Sequence, residues 1–234
     1  MSTPLPLLCP CEEPPNSKST NQLCQRTAWR EVAGQYPEPR QCLAAFLTLN
    51  TAEVLAGVKP ANLLRISNRQ YPCGRNMYQL WQRYGQQLLE KSAMVAATMR
   101  CDESGILLLI YSPTLLQRRL NSRSSLTFLQ SLNYRNPHHI TTTLEDLTTH
   151  FVDEEFPHEI GLFLGYPLKD VRAFMGRTAL KASAQRLWKI YGYARRSHAL
   201  ADLYQHQHQR VANLLRHQRN NALHLLAGGA LQHR

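Results

Sequence analysis

The clearest apolar periodicity in the chain lies at residues 76–91. Six large apolar side chains recur there every three or four residues and mark one face of a helix: Met77, Leu80, Trp81, Tyr84, Leu88 and Leu89. Residues 39–53 show a similar spacing over a shorter length. Both stretches are predicted to be helices that pack an apolar face against a core.

Other stretches favour β-strands. Ala61–Ser67 follows a proline, and the β-prone residues 93–100 and 106–111 flank the turn-forming sequence Asp-Glu-Ser-Gly. The last two runs predict a β-hairpin. Residues 187–191, LWKIY, are also β-prone, and we expect them to close the same sheet as a fourth strand.

Helical spacing returns in the middle and at the end of the chain. Short helices are predicted at Pro113–Leu120, residues 124–132 and residues 143–151. A long amphipathic helix is predicted from about residue 194 to the glycine pair at residues 228–229. The fold class is therefore α+β, with several helices covering a small, mostly antiparallel sheet of about four strands.

Composition divides the chain into three parts. Residues 1–39 are rich in proline and polar residues, and we expect them to be disordered apart from a short helix near residues 23–33. Residues 40–205 carry the predicted sheet and helices without a long linker, which favours a single α+β domain. Residues 206–234 are basic and rich in histidine and are expected to form a helical extension.

Overall composition is that of an ordinary globular protein, with 43% hydrophobic and 18% charged residues in a chain of 234. No apolar run is long enough for a membrane helix, and the first residues lack the features of a signal peptide, so we expect a cytoplasmic protein. The six cysteines form no CxxC pair, which favours reduced thiols. We expect no metal site, even at the Cys9-Pro-Cys11 sequence.

Charge is distributed unevenly around a net value of +11. Residues 141–168 contain six acids and no Lys or Arg, whereas residues 169–234 contain twelve Lys or Arg and two acids. One interpretation is that solvated acidic and basic faces partly neutralise each other. The other is that the basic half binds phosphates or a membrane surface, with an affinity that falls as salt rises.

Residues 156–175 read FPHEIGLFLGYPLKDVRAFM and form the most informative segment. Pro157 and Glu159 suit the first and third positions of a helix, where Glu159 would interact with the free amide groups. The helix dipole would keep the imidazole of His158 neutral and available as a base. Gly165 would end this helix, and a second helix would follow it. The segment is not an HExxH zinc motif, because residue 162 is leucine.

The same pair of helices, residues 157–176, also satisfies a helix-turn-helix pattern. Four cations would then be available to a nucleic acid on or after the second helix: Lys169, Arg172, Arg177 and Lys181. Phe163 would be unusually exposed in such a DNA-binding unit, which argues against this alternative.

Three motifs together resemble a prokaryotic family catalogued as domain of unknown function 3793. They are LAGVKPANLL at residues 55–64, the FPHEIGLFLGYP run, and LWKIYG at residues 187–192. The resemblance spans roughly residues 40–205 and implies a shared architecture without naming an activity. In that family a Cys or His often precedes the first motif and a Cys precedes the last, whereas this chain has Asn50, Thr51 and Ala184 there.

The three motifs carry polar side chains that can do chemistry, and we expect them to converge in a pocket for an anionic small ligand or cofactor of unknown identity. The candidate catalytic residues are His158 and Glu159, and the candidate ligand-binding residues are Lys59, Asn62, Tyr166, Trp188, Lys189 and Tyr191. Whether the protein is an enzyme stays open. The alternatives are a structural role for these residues, the nucleic-acid role above, and a protein-interaction role for the terminal basic helix.

Overall fold

The computed structural model describes residues 28–151, 156–217 and 221–228. The expectations for residues 1–27, including Cys9 and Cys11, lie outside this part of the chain. The described chain begins with two 3-10 turns, Trp29–Glu31 and Ala33–Gln35. Ten helices follow in the described residues: α1 (Pro39–Asn50), α2 (Ala52–Leu55), α3 (Met77–Glu90), α4 (Pro113–Leu120), α5 (Arg123–Gln130), α6 (Ile140–His150), α7 (Ile160–Phe163), α8 (Leu168–Phe174), α9 (Arg195–His217) and α10 (Ala222–Leu226).

Several helices begin where a side chain or a proline satisfies the free amide groups of the first turn. The carboxylate of Glu38 accepts hydrogen bonds from the backbone amides of Arg40 and Gln41, and Pro39 occupies the first position of α1. The side chain of Asn76 caps α3 in the same way, and Ser112 caps α4. These caps explain why the helix starts were readable in the sequence.

Three strands form an antiparallel sheet in the order β1 (Ala61–Ser67), β3 (Gly105–Tyr111), β2 (Val95–Asp102). The central strand β3 pairs with both neighbours, so that its Tyr111 lies opposite Ala61 on one side and Val95 on the other. Every residue of β3 is buried. The predicted hairpin is confirmed.

Side chains of β3 alternate between two separate cores, as the two-residue period of a strand requires. Ile106, Leu108 and Ile110 pack with residues of α1, α3, α9 and α10. Leu107 and Leu109 pack on the opposite face with residues of α4 to α7. The sheet is therefore covered by helices on both faces, and the predicted α+β fold class is confirmed.

The predicted strand near residues 187–191 exists, but it does not join this sheet. Strand β5 (Lys189–Tyr191) pairs with β4 (Ala182–Gln185) in a separate antiparallel hairpin. A third apolar cluster lies beneath this hairpin and contains Trp188, Ile190, Ala201 and Tyr204. The expectation of a fourth strand in the main sheet was therefore wrong, because β5 has a local partner that its own sequence did not reveal.

The terminal helix is divided into α9 and α10, and residues 218–220 between them are not described. Its apolar positions beyond the expected domain boundary at residue 205 are used in the core. Val211 and Leu215 of α9 and Leu225 of α10 are fully buried in the same cluster as α1. Among the described residues, no helix has the length and apolar character that crossing a membrane requires.

Candidate functional site

Two of the three motifs meet at a glycine turn. Gly165 has a φ of +80°, and a β-carbon on it would lie 2.6 Å from Cδ of Pro60 and 2.8 Å from the hydroxyl oxygen of Tyr204. A side chain has no space there, so only glycine allows the loop between α7 and α8 to approach the KPAN loop this closely. The Tyr204 hydroxyl, on α9, donates a hydrogen bond to the Gly165 carbonyl over 3.3 Å.

Behind this turn lies a cluster of buried ionisable side chains. Lys59 is 5% exposed and its ammonium donates a hydrogen bond to the side-chain oxygen of Asn62. The amide of Asn62 in turn donates to the carboxylate of Glu53 over 2.9 Å. Glu53 has no exposed surface, and the ring nitrogen Nδ1 of the buried His208 lies 3.9 Å from its other oxygen. Asn62 therefore bridges a buried cation and a buried anion.

Two aromatic rings lie beside the ammonium of Lys59. The nitrogen lies 5.3 Å from the ring centre of Tyr204 and 5.6 Å from that of Tyr166, distances at which cation–π attraction is significant. Tyr166 stacks on Trp188 with ring centres 4.6 Å apart, which brings the WKIY motif into the same cluster. Burial raises the pKa of the Tyr204 hydroxyl above its usual value, so this residue stays neutral.

The cluster of Lys59, Asn62, Tyr166 and Trp188, which we call the lysine cluster, thus unites four of the predicted site residues. These side chains are mostly buried and bonded to one another. Buried charges of this kind are costly unless they are paired, and they occur both in structural networks and at functional sites.

Asp170, at the start of α8, organises the neighbouring region and was not predicted. Its carboxylate is 1% exposed and accepts four hydrogen bonds, from the Lys169 ammonium, the Trp188 indole, the Tyr191 backbone amide and the Ser197 hydroxyl. Burial opposes its ionisation, but these donors outweigh that effect and lower its pKa. One carboxylate therefore ties α8, β5 and the first turn of α9 together.

The two candidate catalytic residues, His158 and Glu159, contact different parts of the protein. His158 is exposed, and its ring packs edge-on against Phe174 with centres 4.9 Å apart. Glu159 is buried, and one carboxylate oxygen lies 2.6 Å from Nδ1 of His150 and accepts a hydrogen bond from the hydroxyl of Tyr134. The expectation that Glu159 caps a helix from residue 157 was wrong, because α7 begins only at Ile160 and the side chain of Glu159 makes no cap hydrogen bond.

Lys189 and Tyr191 lie on the hairpin rather than in the lysine cluster. The Lys189 side chain is exposed, with its ammonium 5.8 Å from the ring centre of Tyr191. Tyr191 is buried and contributes its backbone to the Asp170 network. Lys59, His158 and Lys189 therefore share no neighbour among their described contacts. Two shallow hollows in the described surface are lined by other residues, on α9 and near residues 70–80.

Of the four cations proposed for nucleic acid, three are exposed: Arg172, Arg177 and Lys181. The fourth, Lys169, is held by internal contacts, because its ammonium donates to Asp170 and to the Tyr191 carbonyl, each over 2.6 Å. The structure buries Phe163 completely, which removes the objection that this side chain would be exposed in a DNA-binding unit. The two helices of the pair have four and seven residues, and both are short.

Residues 168–198 form a structural unit made of α8, the β4–β5 hairpin and the first turn of α9, which we call the basic hairpin unit. It contains eight Lys or Arg residues and a single acid, the buried Asp170. Six of the cations are exposed: Arg172, Arg177, Lys181, Lys189, Arg195 and Arg196. Within the described part of the chain, none of these six forms an ion pair with an acid.

Sequence reasoning missed the buried partners because nothing local distinguishes them. Glu53 reads as an ordinary polar residue of a short helix, and His208 reads as one histidine among many on a basic face. Asn50 and Thr51, which stand where that family often has a Cys or a His, both take part in internal hydrogen bonds. The carbonyl of Asn50 accepts a hydrogen bond from Asn62 over 2.7 Å, and the buried Thr51 hydroxyl donates to the Leu47 carbonyl.

No group of three His, Cys, Asp or Glu side chains suited to a metal ion occurs in the residues that the structure describes. Comparison with known proteins finds no match among curated proteins and none among solved structures. A family of proteins described as protein of unknown function (DUF3793) matches residues 47–225. This match covers all three motifs and most of the chain, including nearly all of α9 and α10. The chain therefore belongs to the family of proteins of unknown function DUF3793.

Proposed function

We propose that the protein binds nucleic acid through the basic hairpin unit. The observation that carries this proposal is the set of six exposed cations on a unit whose single acid is buried. Exposed cations that lack acidic partners attract phosphates and release the counterions condensed on a nucleic acid, which is the main source of sequence-independent affinity.

The unit is also well suited to present these charges in fixed positions. Asp170 holds α8, β5 and the start of α9 together through four hydrogen bonds. At the open end of the hairpin, the Gly192 amide donates to the Lys181 carbonyl over 2.9 Å. At the end of α8, the Arg177 amide donates to the Arg172 carbonyl over 2.8 Å. Cations carried on such a bonded framework lose less entropy on binding than cations on a loose tail.

The mode differs from the helix-turn-helix hypothesis. Helix α8 has seven residues, three of them buried, and its Lys169 is held by Asp170. This leaves Arg172 as its exposed cation, which is too little for a recognition helix that reads base edges. The proposal therefore assigns phosphate binding to the unit as a whole.

Fluorescence anisotropy with a labelled oligonucleotide tests the proposal directly. A variant carrying Arg172→Ala, Arg177→Ala and Lys181→Ala should bind at least ten-fold more weakly, and the slope of log K against log salt should fall by roughly 0.7 to 0.9 per lost phosphate contact. The matched control carries Arg83→Ala, Arg118→Ala and Arg123→Ala, which removes the same charge from exposed positions on α3, α4 and α5.

The control variant should bind much as the unmodified protein does. If both triple variants lose affinity equally, net charge alone explains the binding and the assignment to this unit is refuted. If the unmodified protein does not bind at low salt, the function itself is refuted.

A second candidate function rests on the lysine cluster, where side chains from the KPAN, FPHEIG and WKIY motifs meet. An anionic small ligand would interact with the Lys59 ammonium, and it would enter beside Tyr166, which is only half-buried. Binding would stabilise the fold by about 2.7 kcal/mol at a ligand concentration 100-fold above Kd. Proton transfer by His158 or Glu159 stays a prediction within this candidate function.

Thermal denaturation with a panel of nucleotides, phosphates and carboxylates tests this second function. A ligand of the lysine cluster should raise the Tm by several degrees, and Tyr166→Leu should abolish the shift while Lys189→Ala preserves it. A panel without any shift, together with a native mass spectrum that shows no bound small molecule, would contradict it.

A further inference from the structure

The exposed surface of the basic hairpin unit contains one prominent aromatic side chain. Tyr193 is 74% exposed, well above the other exposed large hydrophobic residues in the described part of the chain. It lies in the short connection between β5 and α9, directly after Gly192, which has a φ of +58°. No aromatic contact or hydrogen bond of the Tyr193 side chain occurs within the described residues, so packing gives no reason for a ring at this position.

Exposed cations lie close to Tyr193 along the backbone. The Lys181 carbonyl accepts the hydrogen bond of the Gly192 amide, which places Lys181 beside the residue that precedes Tyr193. Arg195 and Arg196 follow two and three residues later, in the first turn of α9, and both are exposed. An exposed aromatic ring among exposed cations is the arrangement by which proteins stack a base while they bind the neighbouring phosphates.

The exposed side chains of the same unit are poorly suited to reading the bases of a duplex. Reading a duplex groove requires a helix or a strand pair with several long side chains that point outward. The exposed residues of β4 are Ala182, Ser183 and Gln185, and of these only Gln185 has a side chain long enough to reach a base edge from the strand. The bases of a single strand are accessible to a ring such as Tyr193, whereas the bases of a duplex are stacked on one another.

We infer that the basic hairpin unit binds single-stranded nucleic acid, with a base stacked on the ring of Tyr193 and the flanking phosphates bound by Lys181, Arg195 and Arg196. This inference rests on the proposed nucleic-acid function and names its ligand class. The chemistry is shared by single-stranded DNA and RNA, because both present a flat base and a phosphate on each side.

Fluorescence anisotropy of the full chain tests the inference with three probes: an oligothymidylate of about 20 nucleotides, an oligouridylate of the same length, and a DNA duplex of that length. This length exceeds the usual number of nucleotides that one single-strand binding site covers. One or both single strands should bind more tightly than the duplex, and comparison of the first two shows which sugar is preferred. Tyr193→Leu should weaken single-strand binding roughly ten-fold, the effect expected for one lost stacking contact. Tyr193→Phe should retain the affinity, because the stacking ring remains.

Photocrosslinking gives a second readout that a change in charge or stability would not produce. A strand with 5-iodouracil in place of thymine should crosslink to Tyr193, and peptide mapping by mass spectrometry should locate the adduct there. Because Tyr193 is exposed, its replacement should leave the circular dichroism spectrum unchanged.

The outcomes separate this inference from the function on which it rests. Equal affinity for duplex and single strands, or a Tyr193→Leu variant that binds as tightly as the unmodified protein, would overturn the stacking inference. Loss of affinity in the Arg172, Arg177 and Lys181 triple variant would then still support the basic surface. Absence of binding to all three probes would overturn both.

Discussion

Replacing Asp170 by asparagine should destabilise the protein far more than the same change at an exposed aspartate. In the folded protein, one carboxylate oxygen of Asp170 accepts from the Lys169 ammonium and the Tyr191 amide, and the other accepts from the Trp188 indole and the Ser197 hydroxyl. Asparagine keeps one oxygen and replaces the other by a donor. The serine hydroxyl can turn and accept a hydrogen bond, but the indole cannot.

In the Asp170→Asn variant, the least costly arrangement of the new amide therefore leaves the buried Trp188 indole without an acceptor, at a cost of about 1–3 kcal/mol. The ion pair with Lys169 is lost as well. Lys169 is about one-third exposed, so water compensates part of that loss, and we expect a total near 3 kcal/mol. This corresponds to a change of about two orders of magnitude in the equilibrium constant for unfolding.

Urea denaturation followed by circular dichroism at neutral pH measures the difference. Asp202→Asn is the matched control, since Asp202 pairs with Arg186 at the surface and its side chain is 61% exposed; its replacement should cost less than about 1 kcal/mol. Equal losses in the two variants would refute the assignment of Asp170 as a buried organising group.

The same contacts make a prediction about pH. Because folding lowers the pKa of Asp170, its ionised form stabilises the protein above the pKa of the unfolded chain, near 3.8, and this contribution is lost as the pH falls through the folded pKa. The stability difference between Asp170→Asn and the unmodified protein should therefore shrink below about pH 4. A difference that stays constant down to pH 2 or so would contradict this mechanism.

Three further predictions concern other parts of the molecule. Gly165→Ala should lower the free energy of unfolding, measured by urea denaturation, by about 3 kcal/mol or more, because the new β-carbon meets Pro60 and Tyr204. Gly57→Ala is the control and should lower it by only about 1 kcal/mol, since Gly57 also has a positive φ but open space around it. Equal losses in the two variants would refute the steric argument. Lys59→Met should destabilise the protein by about 3–5 kcal/mol, because the buried Glu53 carboxylate then lacks the cation to which Asn62 connects it. Adding Glu53→Gln to this variant should restore part of the lost stability. Purely additive effects of the two changes would contradict a shared network. Burial and the neighbouring Cys73 raise the pKa of the Cys42 thiol to about 12. Alkylation of the folded protein, mapped by mass spectrometry, should therefore modify the exposed Cys101 well before Cys42. Similar alkylation rates at both residues would contradict the buried position of Cys42.

Much of the fold was predictable from local sequence signals. Strand β1 and helix α4 have the bounds that their patterns predicted, since a proline or a capping residue marks where each begins. The β2–β3 hairpin was predictable because strongly β-prone residues flank a turn. Each of these elements is specified by residues close to one another in the chain.

What the sequence did not reveal depends on contacts between distant residues. Strand β4, ASAQ, is mostly exposed and contains no β-branched or large apolar residue, so little in the sequence indicated a partner for β5. Glu159 and His150 are close in space because α6 and the segment before α7 pack together, which no spacing rule indicates. The convergence of Lys59, Tyr166 and Trp188 was expected from motif resemblance, but the buried carboxylate of Glu53 beside them was not.

Strand β3 carries a liability that its central position conceals. Its sequence, GILLLIY, has seven residues without a charge or a proline, and such a segment pairs readily with copies of itself when it is exposed. In the folded protein both its edges are paired and both its faces are covered. Any change that opens the helices on either face therefore frees an aggregation-prone strand, so the solubility of destabilised variants should fall sooner than their loss of helix content suggests.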